Sequence, residues 1–341
     1  MKKTLMGWMM LALVFVLAAC GTSESGNEKA ESNAAEEVNV EADESSEATE
    51  ETADEEEAAA SDTVTVKHEL GEAVVPKNPE NVVVFDYGVL DTLQQLGVEP
   101  AGLPKGSTIP EHLSKFEEDA YANAGTLFEP DFELVNELKP ELIIISGRAS
   151  EAYEDLQEIA PTIYLGVDAT NYMDSFKENM RTIGEIFEKE DEVESEIADV
   201  EASVAALKEK AEASEEKALI LLANDGSISA YGSQSRFGLI HDEFGFALAD
   251  ENIEAANHGM SVTFEYVLEK NPEILFVIDR GAVVGGESSA KEVVENEIVK
   301  QTAAYENGNI VYLDPNYWYL SSGGLEAMKG MLEETGSVLG E

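Results

Sequence analysis

Arginine is scarce in this chain, and its placement is informative. The sequence holds 21 Lys and Arg residues against 71 Asp and Glu, a formal net charge of −50. Arg148 and Arg280 nevertheless close two gapless segments of the same length, FELVNELKPELIIISGR (132–148) and FEYVLEKNPEILFVIDR (264–280). Phe132 and Phe264, Glu133 and Glu265, and Pro140 and Pro272 are among the identical pairs. Each copy reads as a helix, a proline that stops it, a buried strand and an arginine at the strand's carboxyl end. In open α/β sheets that end faces the ligand crevice. Two such lobes facing one another would aim both arginines into a shared cleft. Arg236, in Gly-Ser-Gln-Ser-Arg-Phe-Gly, precedes a helix predicted from Leu239 to Phe244, whose N-terminus would add donors for an anion. Three arginines so placed point to an anionic ligand. The competing reading pairs each arginine with one of the abundant carboxylates on the surface.

Other groups with chemistry to offer lie in predicted cleft loops. Of the four histidines, His258 stands in Ala-Asn-His-Gly-Met-Ser just before the second repeat, while His68 and His241 read as structural. The segment Pro315–Gly324 carries Tyr317, Trp318 and Tyr319 in a loop at a strand end. Aromatic side chains there could pack on a ligand ring, or supply a phenolate to a ferric ion, a hard acceptor that suits oxygen donors. The alternative is a packed loop. The four scattered histidines do not make the compact set that a zinc or manganese carrier needs. No nucleophile elbow, phosphate-binding Walker loop or metal-catalytic motif occurs, so an enzyme is disfavoured and no cofactor is expected. With no basic footprint, nucleic acid is excluded as a partner.

Alternating strand-like and helical runs position these residues. Val82–Phe85, Leu142–Ile145, Thr162–Leu165 and Ala218–Leu222 read as strands, giving an α/β fold with mainly parallel sheets. Asn171 to about Ser214 has no proline, one glycine (Gly184) and apolar residues at helical spacing. It reads as one long helix with a frayed or broken end. The expected architecture is two Rossmann-like lobes, 63–168 and 215–341, joined by a single connecting helix within 169–214. Residues 1–19 read as a lipoprotein signal peptide: Lys2 and Lys3, an apolar stretch, then Leu-Ala-Ala before Cys20, the chain's one cysteine. Residues 20–62, rich in Glu, Ala, Ser and Thr, read as a lipidated cysteine and a disordered acidic tether.

The signal-like start, the two-lobe repeat and the connecting helix together resemble the substrate-binding proteins of metal-chelate ABC importers. Within that class, VVVFDYGVLDTL, GLPKG, IIISGR, APTIYLGVD, LANDGSISAYG, SRFGLIHD, FVIDRG and WYLSSGGLE resemble catecholate siderophore binders of the petrobactin-binding lipoprotein type. The resemblance runs from about Val64 to the C-terminus. It implies an extracytoplasmic, membrane-anchored protein that captures a ferric catecholate and delivers it to an ABC permease for iron uptake. Arg148, Arg236 and Arg280 match that family's pocket arginines, and Lys105 a pocket lysine. His258 and Tyr319 match residues that close open iron positions in some relatives, a role conditional on a tetradentate siderophore. Glu133 and Glu265, in the same register of the two copies, match the glutamates that dock on the permease. The same residues could simply favour the start of a helix. Haem or another iron chelate of the same importer class is the alternative ligand.

Overall fold

The computed structural model describes residues 62–340. Cys20 and all but the last residue of the acidic tether fall outside the described residues. An antiparallel hairpin, β1 (Thr63–His68) and β2 (Gly71–Pro76), precedes a five-stranded parallel sheet. That sheet comprises β3 (Val82–Val84), β4 (Gly102–Leu103), β5 (Ala122–Asn123), β6 (Leu142–Ile145) and β7 (Thr162–Tyr164), in the order β5-β4-β3-β6-β7. The second sheet holds β8 (Lys217–Asn224), β9 (Ser227–Tyr231), β10 (Ala247–Leu248), β11 (Met260–Val262), β12 (Ile274–Asp279) and β13 (Ile310–Leu313). Its order is β11-β9-β8-β12-β13, with β10 beside the start of β8. The β8, β12 and β13 centre is parallel, and β9 and β11 add an antiparallel edge.

The central strands are continuous apolar runs because helices cover both faces. All four residues of β6 are buried, as are Ile274 to Ile278 of β12. The repeat is also reproduced at its helix ends. Asp131 caps the Phe132–Leu138 helix by accepting from Leu134 N, and Thr263 caps the Phe264–Lys270 helix by accepting from Tyr266 N. Both helices end on a left-handed residue, Lys139 (φ 49°) and Asn271 (φ 43°), just ahead of a proline that cannot continue the helix.

Between the lobes, the stretch read as one element is two helices, Tyr172–Ile186 and Glu190–Ser214. The break has identifiable causes. Glu188 takes a left-handed conformation (φ 52°), and the Asn78 amide donates to Ile186 O at 2.8 Å, closing the first helix from outside. The second helix then folds back on the first. A Cβ at Gly184 would stand 3.1 Å from the Val193 side chain, so the glycine admits the close approach. Arg181–Glu194 (2.6 Å) and Lys177–Glu201 (2.9 Å) pair across the two helices. The 25-residue second helix is the single long connector.

The last helix, Leu325–Gly336, packs against both the Tyr87–Gln95 helix of the first lobe and the long connector. Its first amides are claimed by Asp91, fully buried, which accepts from Glu326 N at 3.0 Å and Ala327 N at 2.8 Å. A Cβ at Gly324 would come within 2.2 Å of that carboxylate, so only glycine leaves room for the cap. One continuous apolar core accordingly runs through both lobes, from Val82 and Leu90 to Ile220, Phe276 and Met328. The lobes are therefore coupled by two helices and a shared core rather than by one flexible joint.

Candidate functional site

A cavity of about 730 Å³ opens between the carboxyl ends of the two sheets. The first lobe lines it with Asp86, Ser146, Arg148 and Tyr164, the helix that follows with Tyr172, and the second lobe with Arg236, His258 and Tyr319. Asp86, at the end of β3, both caps the following helix through Val89 N (2.9 Å) and accepts from Ser146 Oγ at 2.6 Å. It is thus a fixed part of the floor.

The three arginines converge on Tyr319. Arg280 Nε donates to the Tyr319 hydroxyl at 2.8 Å, and its Nη1 donates to Asn224 Oδ1 at 2.9 Å. Arg148 Nη2 and Arg236 Nη2 donate to Tyr319 O, at 2.5 and 3.0 Å. The guanidinium carbons of Arg236, Arg280 and Arg148 stand 4.2, 5.6 and 5.9 Å from the centre of the Tyr319 ring. Tyr319 lies in a π-helical turn, Asn316–Leu320, which leaves its last carbonyls without partners inside the turn. The arginines satisfy those carbonyls, and Trp318 holds the turn from behind, donating from Nε1 to Glu334 Oε2 at 2.8 Å.

Among the described residues no carboxylate forms an ion pair with Arg148, Arg236 or Arg280. The chain's one other arginine, Arg181, has the ordinary carboxylate partner in Glu194. The surface-pairing reading therefore fails for the three that matter. Burial, and then the like charge of Arg148, lower the Arg236 pKa from its ordinary value. Burial alone would raise the Tyr319 phenol, but the Arg280 hydrogen bond and the charges of Arg236 and Arg280 outweigh it and bring the phenol below its usual value.

Two expectations are corrected by the geometry around these residues. The helix after Arg236 spans only Leu239–Asp242, and Arg236 is held by the Tyr319 carbonyl, so no helix N-terminus serves an anion here. Neither Lys105 nor Arg280 borders the cavity: Lys105 Nζ donates to the main-chain oxygens of Glu118 (2.6 Å) and Glu117 (3.3 Å), whereas Arg280 bonds the hydroxyl of Tyr319, which does border it. His258 is exposed on the cavity rim beside Asn257. His241 is buried against Phe246 O at 2.9 Å, and burial lowers its pKa, in keeping with a structural role. Glu133 and Glu265 are exposed in the first turns of their helices and do not line the cavity. Sequence reasoning did not single out Tyr172, Asp86, Asn224 or Phe128. Asp86 was legible as the polar residue ending an apolar strand, in Val-Phe-Asp-Tyr-Gly, whereas Asn224 matters only through Arg280.

Two α/β lobes on a long helix, with an arginine cluster free of carboxylate partners beside the crevice between them, define a two-lobe solute-binding fold. The chain belongs to the periplasmic binding protein family, which residues 82–317 match. It is 55% identical over 275 residues to the petrobactin-binding protein YclQ of Bacillus subtilis (strain 168), covering 80% of this chain and 86% of that protein. The crystal structure of YclQ superposes with a TM-score of 0.80 at 54% identity, over 82% of this chain and 99% of that one. The periplasmic catecholate-siderophore binding protein VctP from Vibrio cholerae superposes with a TM-score of 0.77 at 36% identity, over 81% and 99%.

The Tyr319 environment makes a spectroscopic prediction. Burial is the main cause that pushes Tyr172 and Tyr231 up to about 12, whereas Tyr319 is lowered and should lose its proton first among these three. In an alkaline absorbance titration, Tyr319→Phe should remove the earliest phenolate step. An unchanged first step would mean that the arginines do not act on this phenol.

Proposed function

We propose that this protein captures a ferric catecholate siderophore of the petrobactin type and delivers it to an ABC permease for iron uptake. One observation carries the reading: in a chain of net charge −50, three guanidiniums converge on the cleft residue Tyr319, Arg148 and Arg236 bordering the cavity themselves, with no carboxylate ion-pair partner among the described residues. A ferric catecholate brings several negative charges and flat rings. The arginines offer it charge-assisted hydrogen bonds and planar faces. The similarity to YclQ and VctP supports the same ligand class. His258 and Tyr319 border one cavity, which supports their taking the two open iron positions of a tetradentate complex. The Lys-rich start, apolar stretch and Cys20 support lipid anchoring on the outer membrane face, which membrane retention of Cys20→Ala would contradict.

Arg148→Ala, Arg236→Ala or Arg280→Ala should each weaken a ferric bis-catecholate by about 10- to 150-fold, followed by quenching of Trp318 fluorescence. Lys in place of Arg should rescue only in part, because it lacks the planar fork. In the same titrations, joint loss of the His258 and Tyr319 side chains should shift the iron charge-transfer band of tetradentate complexes and spare hexadentate ones. Wild-type affinity in all three arginine variants would place the pocket elsewhere.

Docking on the permease is assigned to Glu133 and Glu265. Asp131 and Thr263 already cap the two helices, and neither glutamate has a partner among the described residues, so both carboxylates face outward in matched positions. The double variant Glu133→Ala, Glu265→Ala should abolish uptake while siderophore affinity and melting temperature stay near wild type. Normal uptake by a folded double variant would remove the docking role and leave the binding assignment intact.

A further inference from the structure

Phe128 is the most exposed large apolar side chain among the described residues: 64% of its surface meets solvent, and it lines the cleft. Phe132 (39%) and Leu134 (38%), nearby in sequence, do not line it. A single exposed apolar side chain is ordinary on a protein surface, but a phenyl ring on the lip of a ligand cleft offers apolar area that a bound ligand can cover.

The ring is also presented by a stiff turn. Thr126 Oγ1 accepts from both Phe128 N (3.3 Å) and Glu129 N (2.9 Å), and Thr126 N donates to Glu129 O at 3.0 Å. The turn is closed at its base by a bridge between Gly125 and Pro130. Gly125 has φ +111°, and a Cβ there would stand 2.5 Å from Glu129 O, so the closure needs glycine. Neighbouring Leu127 is buried and its amide donates to Ser107 Oγ at 3.0 Å, fastening the turn to the first lobe. A backbone held this way need not be ordered when the residue meets a ligand, which favours affinity through preorganisation.

We infer that Phe128 is a specificity-determining residue of the cleft: it covers an aromatic arm of the bound ferric chelate at the mouth while the arginines hold the anionic centre. This rests on the ferric catecholate reading above and deepens it. The arginines answer charge, which many iron chelates share; the phenyl ring answers aromatic surface, which aliphatic chelates lack. Ring-to-ring contact in offset or edge geometry adds to the area buried, so loss of the ring should be felt only by ligands with rings. The cleft thereby discriminates chelates of similar charge through a residue that touches no iron and no anion.

The test compares the full protein and its Phe128→Ala and Phe128→Tyr variants, titrated with a ferric bis-catecholate and with ferric citrate as an aliphatic anionic probe. Phe128→Ala should weaken the catecholate by about 10-fold and change ferric citrate by less than 2-fold, and Phe128→Tyr should keep both near wild type. Equal weakening of both probes would make Phe128 a structural residue and overturn the inference. Unchanged affinity for both would overturn it as well, and if uptake then fell, the exposed ring would belong to permease docking instead. Failure of wild type to bind the catecholate would overturn the ligand reading and this inference together. Binding by wild type with no selective loss in Phe128→Ala overturns this inference alone.

Discussion

Three positive charges converge on one tyrosine, and the rest of the site depends on how the fold holds them there. Like charges in a partly buried cleft repel, and desolvation adds to the cost. Each guanidinium is instead given neutral acceptors: the Tyr319 carbonyl for Arg148 and Arg236, the Tyr319 hydroxyl and Asn224 for Arg280. Neutral partners fix the geometry without cancelling the charge. The arginine cluster therefore keeps its charge beside the cleft in a protein that is otherwise strongly acidic. That contrast makes the cleft a place where a polyanion can lodge, and the π-helical turn is the device that supplies the acceptors.

Holding such a cluster open needs a frame that does not collapse around it. The frame is supplied by the core that runs through both lobes and by the two helices that cross between them. Asp91 contributes at the junction, where its buried carboxylate from the first lobe claims the first amides of the last helix. Cores of this kind are close-packed and resist continuous deformation. Small rotations of the lobes about the long helix fit this construction better than a wide opening. A rigid cleft also explains why the recognition elements sit on short, braced turns, as at Phe128 and Tyr319.

Much of this was legible in the sequence because the two lobes repeat. A helix, a proline and a buried strand recur with the arginine in one register, and strand ends are where α/β folds bind ligands. Arg148 and Arg280 could be placed from that pattern, whereas Tyr319 was singled out only through the family resemblance. What was hidden depends on contacts between distant segments. The break after Ile186 is made by the Asn78 backbone more than a hundred residues earlier, and helix periodicity continues across it. The partnership of the last helix with the first lobe needed the Asp91 side chain, which reads locally as an ordinary helical aspartate. Lys105 looks free in Leu-Pro-Lys-Gly, yet the chain turns so that the Glu117 and Glu118 carbonyls capture it. Phe128 resembled any loop aromatic until its exposure and its position at the cleft were known.

If the arginines are kept for a ligand and not for the fold, removing one should not weaken the ligand-free protein. Arg236 is the most informative, since burial and the charge of Arg148 both act against it. The direct measurement is the melting temperature of Arg236→Met without ligand, beside its affinity for a ferric bis-catecholate. Binding should be lost while melting stays at or above wild type, as expected where a functional charge has been held against stability. A melting temperature lower by about 5 °C or more, equivalent to roughly 3 kcal/mol for a chain of this size, would contradict the account and make the cluster a structural feature.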